Sequence, residues 1–140
     1  MIARPPIALI VEDSKAFSNA LREFLTLCFP QFEVHEARTG ASALEQLQRL
    51  QPRLILMDIQ LPDMNGLEVT RRIKAQAPDT EVIAMSMMDG QRIAEKALAA
   101  GAAGFISKDH LFQDLVALLA RFNDPHQKNK RPLQSTPAQP

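Results

Sequence analysis

Five short apolar runs divide the chain at nearly even intervals, and each is followed by a stretch whose apolar residues recur at helical spacing. The runs are IALIV at 7–11, FEVHEA at 32–37, LILM at 54–57, EVIAM at 81–85 and GFIS at 104–107. Several lack period-2 alternation, which predicts strands covered on both faces, as in a parallel sheet. The stretches between them predict helices with one buried stripe. The first places Phe17, Leu21, Phe24, Leu25 and Cys28 at i, i+4, i+7, i+8 and i+11, and the last repeats that spacing with Leu111, Leu115, Leu118, Leu119 and Phe122. Ala43, Leu44, Leu47 and Leu50 mark a second helix, Val69, Ile73 and Ala77 a third, and Ile93, Ala94, Ala97 and Leu98 a fourth. Pro30, Gly40, Pro52, Pro62, Gly66, Pro78, Gly90 and Gly101 fall between these elements and punctuate them. Five strands alternating with five helices predict an α/β, doubly wound fold.

A chain of 140 residues is one domain's worth and can bury a core without disulfides or structural metal. The lone Cys28 cannot form an internal bridge, which fits a reducing compartment, and its place on the apolar stripe predicts a core residue. Lys and Arg number 16 against 16 Asp and Glu, so no whole-chain field draws the protein to nucleic acid or to an anionic membrane. No apolar stretch approaches the roughly 20 residues of a membrane span, and the first six residues lack the apolar core of a signal peptide. The expectation is a cytoplasmic protein with no membrane insertion and no direct binding of nucleic acid. From Asn123 the composition changes: residues 123–140 hold four of the ten prolines and a single large aliphatic residue, Leu133. A folded domain is therefore expected over 1–122 and a disordered tail or linker over 123–140. The tail's Lys128, Lys130 and Arg131 outnumber Asp124 by 3 − 1 = 2 charges, and this cluster reads as a solvated linker.

In open parallel sheets the ligand site lies outside the carboxyl ends of the strands. Glu12 and Asp13 follow the first strand, Asp58 the third, Ser86 the fourth and Lys108 the fifth. Any one of these alone would be a turn, a cap or a solvated charge. All five at one end of a sheet form a shared rim. Its three carboxylates repel one another, and a hard divalent cation with oxygen ligands is the economical remedy, Mg²⁺ being the usual one where phosphate is handled. The hydroxyl and the ammonium can then donate to a phosphoryl group.

These residues carry a family resemblance. LIVEDS at 9–14, LILMDIQLPDMNGLE at 54–68, VIAMS at 82–86 and AGAAGFISKD at 100–109 resemble a two-component response-regulator receiver domain, with separations of 58 − 13 = 45, 86 − 58 = 28 and 108 − 86 = 22 residues. The likeness spans about residues 6–122 and implies a flavodoxin-like sheet of order 2-1-3-4-5, as in the chemotaxis member of that family. It further implies that Asp58 accepts a phosphoryl group from phosphohistidine on a sensor kinase or phosphotransfer protein. Asp13, with Glu12 beside it, would hold Mg²⁺ together with Asp58 and the backbone carbonyl of Gln60. Lys108 would pair with the phosphoryl oxygens, Ser86 would swing toward them, and Phe105 would be the switch aromatic that follows Ser86. A downstream protein would bind the face of helix 4, strand 5 and helix 5, which could also serve a phosphorylation-dependent dimer. The protein would be a signalling module rather than an enzyme, apart from Mg²⁺-dependent self-phosphorylation and autodephosphorylation.

Two positions depart from the commoner family pattern. Phe105 stands where many relatives have Tyr, so its readout would be by shape and not through a hydroxyl. Gln60 and Met88 occupy the two positions that in this family influence how fast water reaches the acyl phosphate, and an apolar Met88 is expected to lengthen the lifetime. Other readings are weaker. A haloacid-dehalogenase-type phosphatase would carry a second Asp where this chain has Gln60, and neither a Gly-rich dinucleotide turn nor a P-loop follows the first strand. AGAAGFISKDHL is most similar to receivers attached to helix-turn-helix domains, yet the 18 residues after Phe122 cannot hold one, which leaves a stand-alone receiver or a piece of a longer regulator. His35, His110 and His126 are too scattered for a metal site. Met85 is expected in the core, with Met87 and Met88 beside it as a soft contact patch.

Overall fold

The computed structural model describes residues 4–88 and 90–120. Within it run β1 (Ile7–Val11), α1 (Lys15–Cys28), β2 (Glu33–Ala37), α2 (Gly40–Leu50), β3 (Leu54–Asp58), α3 (Gly66–Gln76), β4 (Glu81–Ser86), α4 (Gln91–Ala99), β5 (Gly104–Ser107) and α5 (Leu111–Leu119). All strand pairs are parallel, and the order across the sheet is β2-β1-β3-β4-β5. The expected α/β doubly wound fold and strand order are both present. The tail over 123–140, His126 and Phe122 lie outside the described residues.

The apolar strands sort their side chains to two covered faces. Ala8, Ile10, Leu54, Leu56, Ile83, Met85 and Ile106 meet Leu21 and Leu25 of α1 and Leu111, Leu115, Leu118 and Leu119 of α5. On the other face, Leu9, Val11, Ile55, Met57 and Val82 meet Ala43 and Leu47 of α2 and Val69 and Ile73 of α3. Ala84 and Phe105 share that second face with Ala97 of α4. This is why the strands read as continuous apolar runs: alternate residues point to different helix layers, and both layers are dry.

Cys28 departs from expectation, being exposed. The helix ends at that residue, and the chain leaves helical geometry at Phe29. Phe29 is buried, with its ring 6.2 Å from that of Phe24, so it takes the core place that continued helical spacing gives to Cys28. Ser18 is buried on the same helix because its hydroxyl donates to Glu36 Oε1 at 2.7 Å.

Candidate phosphoryl-accepting site

Sheet register brings the rim together. Val11 pairs with Met57, so Glu12 lies level with Asp58; Asp58 pairs with Met85, and Ser86 with Ser107, so Ser86 and Lys108 each follow one step beyond. Strand alternation then divides the rim. Glu12 and Asp58 continue the rows of Ala8–Ile10 and Leu54–Leu56, toward α1 and α5, whereas Ser86 continues the row of Val82–Ala84, toward α3 and α4. One half of the site faces α1, and the other faces the layer that holds Phe105.

The first half is a charged cluster under little solvent. Lys108 Nζ donates to Glu12 Oε1 at 2.7 Å and to Asp58 Oδ2 at 3.2 Å, and the three side chains are 9%, 1% and 3% exposed. Carboxylate oxygens of Glu12, Asp13 and Asp58 all lie within 4.8 Å of one another. Asp13 is the exposed member and opens the cluster to solvent. Burial raises the Glu12 carboxyl above its ordinary value, with the hydrogen bond from Lys108 opposing. Burial would lower the Lys108 amine, but the hydrogen bond to Glu12 and the charges of Asp58 and Glu12 outweigh it and hold the amine above its usual range.

Backbone hydrogen bonds fix the carboxylates. Glu12 Oε2 accepts from the amide of Ser14, which is itself the N-cap of α1 and accepts from Phe17 N. Asp58 Oδ1 accepts from the amide of Gln60 at 2.9 Å. Beyond it, the loop of Pro62, Asp63 and Gly66 folds tightly back, with the Gly66 amide donating to Ile59 at 2.7 Å. A Cβ on Gly66 would stand 2.2 Å from the Asp58 carbonyl oxygen, so glycine is what lets α3 start against the end of β3. Asp63 anchors the loop from the far side, its two oxygens accepting from Gly40 N and Ala41 N at 2.8 and 3.0 Å. Those amides hold the Asp63 carboxyl below its ordinary value.

The second half is hydroxyl and ring. Ser86 is buried, and its Oγ accepts from Met88 N at 3.0 Å. Phe105 pairs with Ala84 and lies in a cluster with Ile59, Ala84, Ala97 and Ala102, with Ile93 packed against it. Phe105 is 7% exposed, so in this structure it belongs to the core and not to the outer surface of α4. Gln60 and Met88, the two expected lifetime positions, both line one groove that also takes in Met64 and Ile93. Met85 is buried as expected, and Met87 and Met88 are exposed.

The donor set suits a hard cation. Two oxygens on one Mg²⁺ at about 2.1 Å stand at most about 4.2 Å apart, so the three carboxylates close on an ion with small side-chain adjustments. Among the described residues, no other cluster of His, Cys, Asp and Glu ligand atoms converges in this way. His35 is instead bound to Glu33, with 2.6 Å between Nε2 and Oε2. Three participants were not evident from sequence: Phe17, whose ring lies 4.5 Å from Lys108 Nζ, Ser14 and Asp63. Serine ahead of a helical stripe signals a cap, but nothing local to Phe17 or Asp63 points to partners 91 and 23 residues away.

The model of the response regulator receiver domain matches residues 8–120. The chain belongs to the response-regulator receiver family. It is 36% identical over 101 residues to the chemotaxis protein CheY of Halobacterium salinarum, covering 71% of this chain and 82% of that protein. It is 38% identical over 100 residues to the transcriptional activator protein ExaE of Pseudomonas putida, covering 71% of this chain but 47% of that one. The chain spans about half the length of the curated transcription regulators it matches. Among solved structures, the signal receiver domain of a DNA-binding response regulator from Colwellia psychrerythraea 34H superposes with a TM-score of 0.79 at 26% identity, over 84% of this chain and 98% of that one. Relatives that are protein-glutamate methylesterases match over 26–29% of their length. No helix among the described residues is long and apolar enough to cross a membrane.

Proposed function

We propose that Asp58 accepts a phosphoryl group from phosphohistidine on a sensor kinase or phosphotransfer protein, and that Ser86 and Phe105 pass its presence to the surface of α4, β5 and α5. The observation that carries this reading is Lys108 held between Glu12 and Asp58 at a rim where a third carboxylate, Asp13, stands open to solvent. Mg²⁺ would be held by Asp13, Glu12, Asp58 and the carbonyl of Gln60, and it would neutralise charge on the transferring phosphoryl group. Phosphoryl transfer depends mainly on such neutralisation and on positioning, so this chain's part is to aim Asp58 and to supply a cation. The Gln60 amide aims one carboxylate oxygen and Lys108 holds the other. Transfer to Asp58 puts phosphoryl oxygens within the reach of Lys108 and offers the Ser86 hydroxyl, whose Oγ accepts from Met88 N, a charged oxygen to donate to. Phe105 then reports by shape, and a downstream protein, or a second copy of the chain, reads the α4-β5-α5 face. Gln60 and Met88, at the mouth of the groove, tune how long the acyl phosphate lasts. We place the functional unit at residues 1–122 and the protein in the cytoplasm.

Incubation with acetyl phosphate and Mg²⁺ tests the assignment. The chain should gain one phosphoryl group, Asp58→Asn should gain none because an amide is not a nucleophile, and chelation of Mg²⁺ should match the mutation. With no Trp and no Tyr in the sequence, the readout is intact mass or a phosphate-affinity gel. Phosphorylation of Asp58→Asn at the wild-type rate would place the acceptor elsewhere.

A further inference from the structure

The carboxylates are only part of what holds Lys108. Its ammonium also lies over the face of the Phe17 ring, 4.5 Å from the centroid, and the lysine side chain is 9% exposed. That is contact distance for a cation and an aromatic quadrupole, and the low exposure leaves water little share in solvating the charge. The ring is well placed to stay where it is. Phe17 sits in the first turn of α1, its amide is bound by the N-cap Ser14, and its side chain packs against the core shared by α1 and α5. Ser14 N in turn holds Glu12 Oε2, so the residue that bears the ring and one carboxylate partner of Lys108 are both bound to the one cap residue.

We infer that Phe17 is a positioning residue, whose ring face keeps the Lys108 ammonium inside the site while its anionic partners change. This role rests on Asp58 being the phosphoacceptor. In the unphosphorylated protein the ammonium has two carboxylates and the ring. When a phosphoryl group or an analogue joins Asp58, the bond to Asp58 Oδ2 must give way to one with the new oxygens. The ring is the partner that this exchange keeps, and with the bond to Asp58 Oδ2 broken it carries a larger share of the hold on the ammonium, so weakening it costs the liganded and transferring states more than the resting one. It offers an attractive surface along which Nζ can shift toward the phosphoryl oxygens, whereas a side chain without a π face would leave the lysine free to rotate toward solvent.

The test replaces Phe17 site-specifically with mono-, di- and trifluorophenylalanine, which keep the ring's shape and packing while weakening its quadrupole step by step. Two quantities are read in Mg²⁺: the affinity for beryllofluoride by calorimetry, and the rate of phosphorylation by acetyl phosphate by intact mass. Both should fall progressively along the series, by about three- to tenfold in total. Phe17→Leu should fall at least as far, Phe17→Tyr should stay near wild type, and melting temperatures of the fluorinated proteins should stay together. Equal affinities and rates across the fluorinated series would overturn the positioning role and reduce the ring to packing. Absence of phosphorylation on the unsubstituted protein would overturn the role together with the assignment of Asp58, and the two failures are thereby distinguished.

Discussion

At the scale of single residues, the site depends as much on what is missing as on what is present. Gly66 carries no side chain because the Asp58 carbonyl oxygen would lie 2.2 Å from its Cβ, and the other near contacts are also main chain and cannot rotate away. Gly66→Ala should therefore cost at least about 2 kcal/mol in urea denaturation, since overpacking against backbone has no cheap relaxation. It should also slow phosphorylation, because the shift falls on the residue that bears the carboxylate. Wild-type stability with a wild-type rate would mean that the loop adjusts freely. Chemistry at this scale was legible in the sequence: Glu12, Asp13, Asp58, Ser86 and Lys108 are polar residues following apolar runs, and the register brings them to one end of the sheet. The partners of Lys108 and Asp63 were not legible. A ring over an ammonium 91 positions away, or a carboxylate clasping amides 23 positions back, leaves no trace in local spacing.

At the scale of elements, two tethers fix helices that the apolar pattern alone leaves free to slide. Asp63 ties the β3–α3 loop to the first turn of α2, where negative charge meets unpaired amides and the positive end of the helix dipole. Asp63→Ala should speed hydrogen exchange at Gly40 and Ala41 and lower the rate of phosphorylation, because the loop it releases begins at Gln60, the residue that aims Asp58. Unchanged exchange at both amides would show that the loop is held by other contacts. Glu36 ties β2 to α1. The hydrogen bond from Ser18, with those and the charge of Arg22, lowers its carboxyl below the ordinary value against the opposing effect of burial. A depressed carboxylate stabilises the fold above its unfolded pKa of about 4.3, and that contribution is lost as pH falls through the lower folded value. Glu36→Gln should thus be less stable than wild type at pH 7, with the gap in urea midpoint narrowing at pH 3; a constant gap would assign the loss to packing. The same pair explains why helix-stripe reading erred on α1. Apolar spacing passes over Ser18, which is buried because Glu36 receives its hydroxyl, and it retains Cys28 because the turn at Phe29 cannot be seen in periodicity.

At the scale of the whole molecule, the sheet is both scaffold and divider. Alternation of apolar runs and helical stripes was enough to read a parallel sheet with both faces covered, but not the order of its strands, which followed from the family resemblance and is now seen as β2-β1-β3-β4-β5. With that order, Asp58 at the end of the central strand faces the α1 and α5 layer, while Ser86 on the neighbouring strand faces the layer of α3 and α4. On the proposed route a signal passes from one layer to the other around the sheet's carboxyl end, where Ser86 stands. Its hydroxyl now serves Met88 N. A phosphoryl oxygen would instead accept from its O–H, a charge-assisted hydrogen bond worth about 1.5–3 kcal/mol, and turning Oγ toward that oxygen would draw it away from Met88 N; the energy is enough to change a two-state ratio by tenfold or more. Breaking the bond to Met88 frees the loop before α4, against which Phe105 packs through Ile93, Ala94 and Ala97. Because Phe105 is already buried, a change there alters the seating of α4 rather than filling an empty space. Ser86→Ala should accept phosphate at Asp58 yet lose most of the difference in partner affinity between phosphorylated and unphosphorylated protein. Phe105→Leu, which keeps the cluster filled with a smaller side chain, should narrow that difference as well. Titration of each variant with the downstream partner, with and without beryllofluoride, checks the route, and a wild-type affinity ratio in both variants would mean that the signal crosses the sheet elsewhere.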